Sequence, residues 1–161
     1  VFCHLDLHKA KVMRQVNFTK EESHPLSPFS SHSIVIWGET FLTVEHAYQA
    51  AKFEQGPVHE RVKNVARAGD ARLEARKHKD DQNVLVRGFN KEAVMEELFR
   101  AKLTQHPEVA LALKATSEEE LVAKWDNDYY WSVGKDGSGE NKLGKLWMKL
   151  RSELLGHLVN K

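Results

Sequence analysis

The sequence predicts a mainly α domain of the α+β kind, in which a minor β-hairpin accompanies a compact single-domain helical core. Three observations lead there. Apolar residues recur at helical spacing in several segments that open on caps or prolines. A single β-branched run, Ile34-Val35-Ile36-Trp37, is bounded by Gly38-Glu39, a pair that can turn a hairpin. A chain of 161 residues with 41% hydrophobic content is long enough for one real core.

In chain order, residues 1–15 read as an N-terminal arm or short helix and residues 16–158 as the domain. Within the arm, His4 and His8 are four apart with Cys3 nearby, but a structural zinc site needs four ligands and no second cluster follows. A short strand is expected at residues 16–18, and then Pro25 and Pro28 forbid a long helix. Residues 34–37 and 40–42 form the hairpin. Thr43 suits the N-cap of a helix through Phe53 that turns Val44, Ala47, Tyr48 and Ala51 to one face and Glu45, Gln49 and Lys52 to another. Pro57 opens a helix that buries Val58, Val62 and Val65 and stops at Gly69. Residues 70–79 read as a short helix or turn whose charges form a solvated face. Asn90 caps a helix burying Val94, Met95, Leu98, Phe99 and Leu103, and Pro107 starts another with Val109, Leu111 or Ala112, and Leu113 inward. Ser117 with Glu120 makes a capping box for a short helix through Val122. From Lys142 a last helix carries Leu143, Leu146, Trp147, Leu150 and Leu154, with Trp147 in the core.

Composition excludes several function classes. Lys+Arg 24 against Asp+Glu 23 gives a net charge of +1, too little for non-specific nucleic-acid binding, so any phosphate site must be local. No apolar run approaches the roughly 20 residues that span a membrane, and residues 1–10 lack the continuous apolar core of a secretory signal. One cysteine, Cys3, permits no internal disulfide and fits a reducing cytoplasm. The motifs G-x-x-x-x-G-K-[ST], H-E-x-x-H, C-x-x-C and G-x-S-x-G are missing, which removes support for nucleotide triphosphatase, zinc protease, thiol redox and α/β-hydrolase chemistry.

Residues 126–144, D-N-D-Y-Y-W-S-V-G-K-D-G-S-G-E-N-K-L-G, have neither helical nor strand period and read as a tightly folded glycine-rich loop. Asn141 would cap the following helix, whose first N–H groups could receive an anion. The simpler alternative is a surface turn over a few aromatics. What remains is carboxylate chemistry from Glu45, Asp126, Asp128 and Asp136, with Tyr48, Tyr129, Tyr130 and Trp131 available to stack on a planar ring. Glu45, in a helix's first turn, is by itself more simply read as a partner of the helix dipole.

Three pieces of the chain resemble the NADAR, or YbiA-like, family: L-S-P-F-S at 26–30, T-V-E-H-A-Y-Q-A-A-K-F at 43–53, and D-Y-Y-W-S-V-G-K-D-G-S-G-E-N-K-L-G-K-L-W-M-K-L-R at 128–151. Their order and spacing match as well, and A-R-A-G-D and F-R-A-K-L-T-Q-H-P between them fit the same pattern, so the resemblance runs from about Val16 to Leu155. It implies hydrolysis of N-glycosidic bonds: some members act on early phosphoribosyl intermediates of riboflavin biosynthesis, and others remove ADP-ribose from modified guanine. It also implies Glu45, Asp128 and Trp131 as the catalytic residues. The chain departs from the family's pattern at Pro28, Asp70 and Ser132, positions expected at the ligand's periphery.

The chemistry agrees with that inventory. An N-riboside breaks through an oxocarbenium-like state that one carboxylate can stabilise while a second carboxyl group serves the leaving nitrogen or the water. Trp131, with Tyr48, could stack on the base, and Lys52 with the backbone of residues 137–141 could hold a phosphate; Asp136, Gly137 and Asn141 complete the expected substrate-binding set. The leading expectation is an N-glycosidase acting on phosphoribosylamine intermediates of riboflavin biosynthesis. An ADP-ribosyl hydrolase acting on guanine nucleobases or nucleic acid, and a non-catalytic module for NAD-like or ADP-ribose ligands, are the alternatives. No cofactor, metal or membrane partner is expected, and nucleic acid enters only as an ADP-ribosylated substrate.

Overall fold

The computed structural model describes residues 13–159, so Cys3, His4, His8 and most of the expected N-terminal arm lie outside the described residues. Its order is β1 (Gln15–Asn17), β2 (Ile34–Ile36), β3 (Glu39–Phe41), α1 (Val44–Ala50), α2 (Pro57–Asn64), α3 (Ala68–Arg76), α4 (Lys91–Gln105), α5 (Pro107–Ala115), β4 (Glu120–Val122) and α6 (Lys142–Val159). The fold is mainly helical, with two pairs of short strands. None of the described helices is long and apolar enough to cross a membrane.

The hairpin forms with Ile34 opposite Phe41 and Ile36 opposite Glu39. Its turn is Trp37-Gly38, one residue earlier than expected, with φ of 54° and 76°. Two consecutive positive φ values are what a two-residue turn between twisted strands demands, and this leaves Glu39 free to join the strand.

Helix α1 is the centre of the molecule, packed by α2, α3 and α4. Thr43 caps it as expected, its hydroxyl accepting from the His46 N–H at 3.1 Å. The helix is not amphipathic, however, because all seven residues, Glu45, His46 and Gln49 included, are buried. It also stops at Ala50, short of Phe53. Residues 52–54 instead pair with the segment after α3: Val86 N–H donates to the Lys52 carbonyl at 2.9 Å, and Glu54 N–H to that of Val84 at 2.8 Å.

Pro57 and Pro107 open α2 and α5, and Asn90 caps α4 through the Ala93 N–H at 3.0 Å. Gly69 does not end α2; that helix closes at Asn64 and Gly69 lies in the first turn of α3. In α5 the buried positions are Val109 and Leu113, while Leu111 is 65% exposed.

The capping box at Ser117 does not form. Ser117 adopts φ 52°, and residues 120–122 run as a strand parallel to β1, Leu121 opposite Val16. Pairing with a strand more than a hundred residues earlier outweighs a local helix signal, and it buries Leu121 and Val122. Helix α6 packs on β4, and Trp147 is fully buried, stacked on Phe99 at 4.1 Å with its Nε1–H donating to the Leu26 carbonyl at 2.8 Å.

Candidate active site

The largest cavity described, about 780 Å³, lies where α1, α3 and the loop before α6 converge; its lining includes Glu45, Tyr48, Lys52, Arg72, Asp128 and Trp131. The structure therefore brings the three residues expected to be catalytic into one cleft, together with Tyr48 and Lys52.

Glu45 is 2% exposed. A carboxylate so buried needs partners, and both arrive at Oε1: Gln49 Nε2 at 2.7 Å from one turn along α1, and Arg72 Nε at 3.2 Å from α3. The Arg72 guanidinium is itself held over the rings of Phe29 at 5.0 Å and Trp125 at 5.2 Å. The Glu45 N–H donates to the Pro28 carbonyl at 3.0 Å, so the Leu26–Ser30 turn fixes the start of the helix. Gln49 Oε1 in turn accepts from Lys52 Nζ at 2.8 Å, and Lys52 stands 4.8 Å over the Tyr48 ring. Burial is the main cause that pushes the Lys52 ammonium below its ordinary pKa; Glu45 opposes this, and the cations Arg72 and Lys91 add to it. Burial, then the Glu45 charge, raises the Tyr48 phenol, which keeps its proton near neutrality.

Asp128 places the aromatic wall. Its Oδ1 accepts from the Tyr130 N–H at 3.0 Å and the Trp131 N–H at 2.7 Å, a local turn that delivers the indole to the cleft. Trp131 is half-buried, packs against the core and meets Tyr48 edge-on at 5.7 Å, and it forms part of the cleft wall.

The glycine-rich loop is as tightly folded as its composition suggests. A Cβ on Gly144 would come within 2.1 Å of the Leu121 carbonyl, and Gly134, at φ 69°, lies against the Tyr129 ring. Its expected ligand role is not supported by the geometry. Asp136, Gly137 and Asn141 are not among the cleft's lining residues. Asp136 Oδ1 accepts from the N–H and hydroxyl of Ser138. Asn141, at φ 52°, does not cap α6 with its side chain, which accepts from the Ala123 N–H and donates to the Leu121 carbonyl. The first N–H groups of α6 are also taken, Lys142 by the Tyr130 carbonyl at 3.1 Å and Leu143 by that of Trp131 at 3.1 Å, so no anion is received there. Of the three departures from the family pattern, Pro28 lines the cleft and Asp70 does not. Ser132 is buried within the loop, its hydroxyl accepting from the Trp125 N–H at 3.0 Å.

Sequence reasoning missed Gln49, Arg72, Arg76, Lys79, Lys124 and Trp125, all of which line the cleft. For three of them a signal was present: Arg72, Arg76 and Lys79 are spaced i, i+4, i+7, and in the structure Arg72 and Arg76 lie on α3 with Lys79 in the turn that follows it. Away from the cleft, Glu39, His59 and Glu60, which have no ligand spacing in the sequence, bring one ligand atom each within 4.8 Å of one another. Lys63 Nζ sits 2.9 Å from Glu39 Oε1, and none of these residues lines the cleft.

A family model for the NADAR domain matches residues 16–155. N-glycosidase YbiA of Escherichia coli (strain K12) is 36% identical over 143 residues, covering 86% of this chain and 88% of that protein. N-glycosidase Npun_R5314 of Nostoc punctiforme is 30% identical over 135 residues, covering 80% and 83%. The riboflavin biosynthesis protein VVA0006 of Vibrio vulnificus is 33% identical over 141 residues, 87% of this chain but 38% of that longer protein. The NMR structure of E. coli YbiA superposes with a TM-score of 0.75 at 34% identity, covering 92% of this chain and 89% of that one. The chain belongs to the NADAR domain family, as an enzyme of the N-glycosidase class.

Proposed function

We propose that the substrate is an early phosphoribosylamine intermediate of riboflavin biosynthesis, hydrolysed at the bond between C1′ of the ribose and its nitrogen. The observation that carries this reading is Glu45, a buried carboxylate anchored at Oε1 and lining a cleft shared with Asp128 and Trp131. Two donors converging on Oε1 suit an ionised, acceptor-only carboxylate, the form that stabilises positive charge developing at C1′. Water adds to C1′ as the C–N bond breaks. The proton lost by the water ends on the leaving nitrogen, with Asp128 as the carboxyl group available to carry it. Trp131 and Tyr48 offer aromatic surface to the base. The names of relatives from Vibrio vulnificus and Zea mays as riboflavin biosynthesis proteins support this choice of pathway, although the chain spans only 38% and 23% of them. A cytoplasmic setting belongs to the same proposal.

A second reading, removal of ADP-ribose from guanine, is favoured by one feature. A neighbouring cavity of about 610 Å³ shares Lys52 and Leu85 with the cleft, which gives a longer substrate room. One assay separates the readings. The protein is incubated with a phosphoribosylaminopyrimidine and with ADP-ribosylated guanine nucleoside, and free ribose 5-phosphate, free ADP-ribose and bound intact ligand are quantified. The first product supports the proposal, the second supports the alternative, and intact bound ligand alone would show a binding module.

A further inference from the structure

We propose that Arg76 at the end of α3 and Lys79 in the turn after it, with Lys52 just beyond α1, form the subsite for a phosphate ester on the substrate. The inference rests on the N-glycosidase reading for its orientation, and on charge bookkeeping among the described residues for its location. Away from the cleft, Glu74 of α3 pairs with Arg61 at 3.5 Å, Lys77 at 2.7 Å and His78 at 3.7 Å. On the cleft side Arg72 pairs with Glu45 at 3.2 Å. Arg76 and Lys79 line the same cleft, and neither has an acidic partner among the described residues. Lys52, half-buried between them and Glu45's helix, has only the neutral Gln49 Oε1 as a hydrogen-bond acceptor. Two cations with no ion pair among the described residues, beside a lysine hydrogen-bonded only to a neutral amide, are the complement of an anionic group.

The spacing fits a ribose ester. Arg72 marks the position of Glu45, where C1′ reacts, and Arg76 lies four residues further, about 6 Å along the axis. That is the scale of a ribose ring from C1′ to its 5′-oxygen. The other anion site within reach, the N-terminus of α6, is closed by the Tyr130 and Trp131 carbonyls. The acidic lining residues Asp126 and Asp128 come from a different element, the loop before α6.

The test is calorimetric titration at low salt with ribose 5-phosphate and with ribose, for the wild type, R76A/K79A and the control K77A. Arg76 and Lys79 are exposed, so the double variant should fold. The expected result is a wild type that prefers ribose 5-phosphate, a double variant that loses about tenfold or more of that affinity while its ribose binding is unchanged, and a control that behaves as wild type. The preference should also weaken as salt rises. A wild type that does not prefer the phosphate, or a double variant that keeps the preference or loses both ligands equally, overturns the subsite. The underlying reading fails separately: if ribose 5-phosphate binds through Arg76 and Lys79 but no phosphoribosylamine is cleaved, the subsite stands and the proposed reaction does not.

Discussion

Glu45 and Lys102 are almost equally shielded from water, at 2% and 0% exposure, yet the molecule treats them in opposite ways. Glu45 opens on the largest cavity and is met by a cation, Arg72, and a neutral donor, Gln49. Lys102 faces no cavity described here and has no carboxylate partner among the described residues. Its Nζ donates to the Ser27 carbonyl at 2.7 Å and to Ser30 Oγ at 2.6 Å, and Ser30 Oγ contacts His32 Nδ1 at 2.8 Å. Burial alone pushes the Lys102 ammonium down to about 7. The two sites are joined by one turn, since the residue between Ser27 and Phe29 is Pro28, whose carbonyl receives the Glu45 N–H. A buried charge is thus no sign of chemistry by itself. What separates them is whether the charge is matched and open to a ligand, or tolerated because it ties two elements together.

The comparison can be broken at several points. The largest effect is expected for Asp128→Asn in the cleft. The amide oxygen can still accept from the Tyr130 and Trp131 N–H groups, so the loop keeps its shape while the charge is lost, and kcat should fall by about 10²-fold or more with an unchanged melt. Arg72→Ala should cost about tenfold in kcat/KM, and Arg72→Lys should restore only part of it, because a lysine cannot keep both the Glu45 pair and the flat contacts with Phe29 and Trp125. Steady-state kinetics of the three proteins checks this.

Lys102→Met tests the other side. With the folded value near 7 and the unfolded value near the ordinary 10.5, the unfolded chain binds the extra proton between those limits, so wild-type stability should gain from this group as pH rises from about 7 towards 10.5. Below 7 the amine is charged in both states and the contribution is flat at its least favourable. Melts of wild type and Lys102→Met at pH 7 and pH 9 should show a smaller rise in the variant, and turnover below the melt should stay within about threefold of wild type. The smallest effect is expected for Asp136→Asn, which leaves the cleft untouched and should change kcat/KM by less than about twofold.

Much of the helical frame was legible locally, because caps and prolines act on neighbouring backbone. Thr43, Pro57, Asn90 and Pro107 all start helices where the sequence places them. Residues 120–122 were not legible, since their state is decided by pairing with β1 far away in the chain. The site divides in the same way. Glu45, Tyr48 and Lys52 share one helix and its end, and the residues 128–131 share one turn, so each group could be read as a unit. The charges of α3 and the amine of Lys102 resemble solvated residues in sequence, and only packing shows that Arg72 reaches a buried carboxylate or that Lys102 lies under a turn. Asn141 misled for a similar reason: its cap-like position is real, but β4 claims its side chain.

The most direct test of the account is turnover by Glu45→Gln, measured at saturating phosphoribosylamine beside a thermal melt and a substrate titration of the same preparation. Gln preserves the shape and can still receive a hydrogen bond from Arg72, but it carries no charge to set against an oxocarbenium ion. The account predicts a variant that melts near the wild-type temperature, binds substrate with near wild-type affinity, and turns over at least about 10²-fold more slowly. Turnover at the wild-type rate by a folded Glu45→Gln protein would contradict it, and would reduce Glu45 to a buried partner of Arg72.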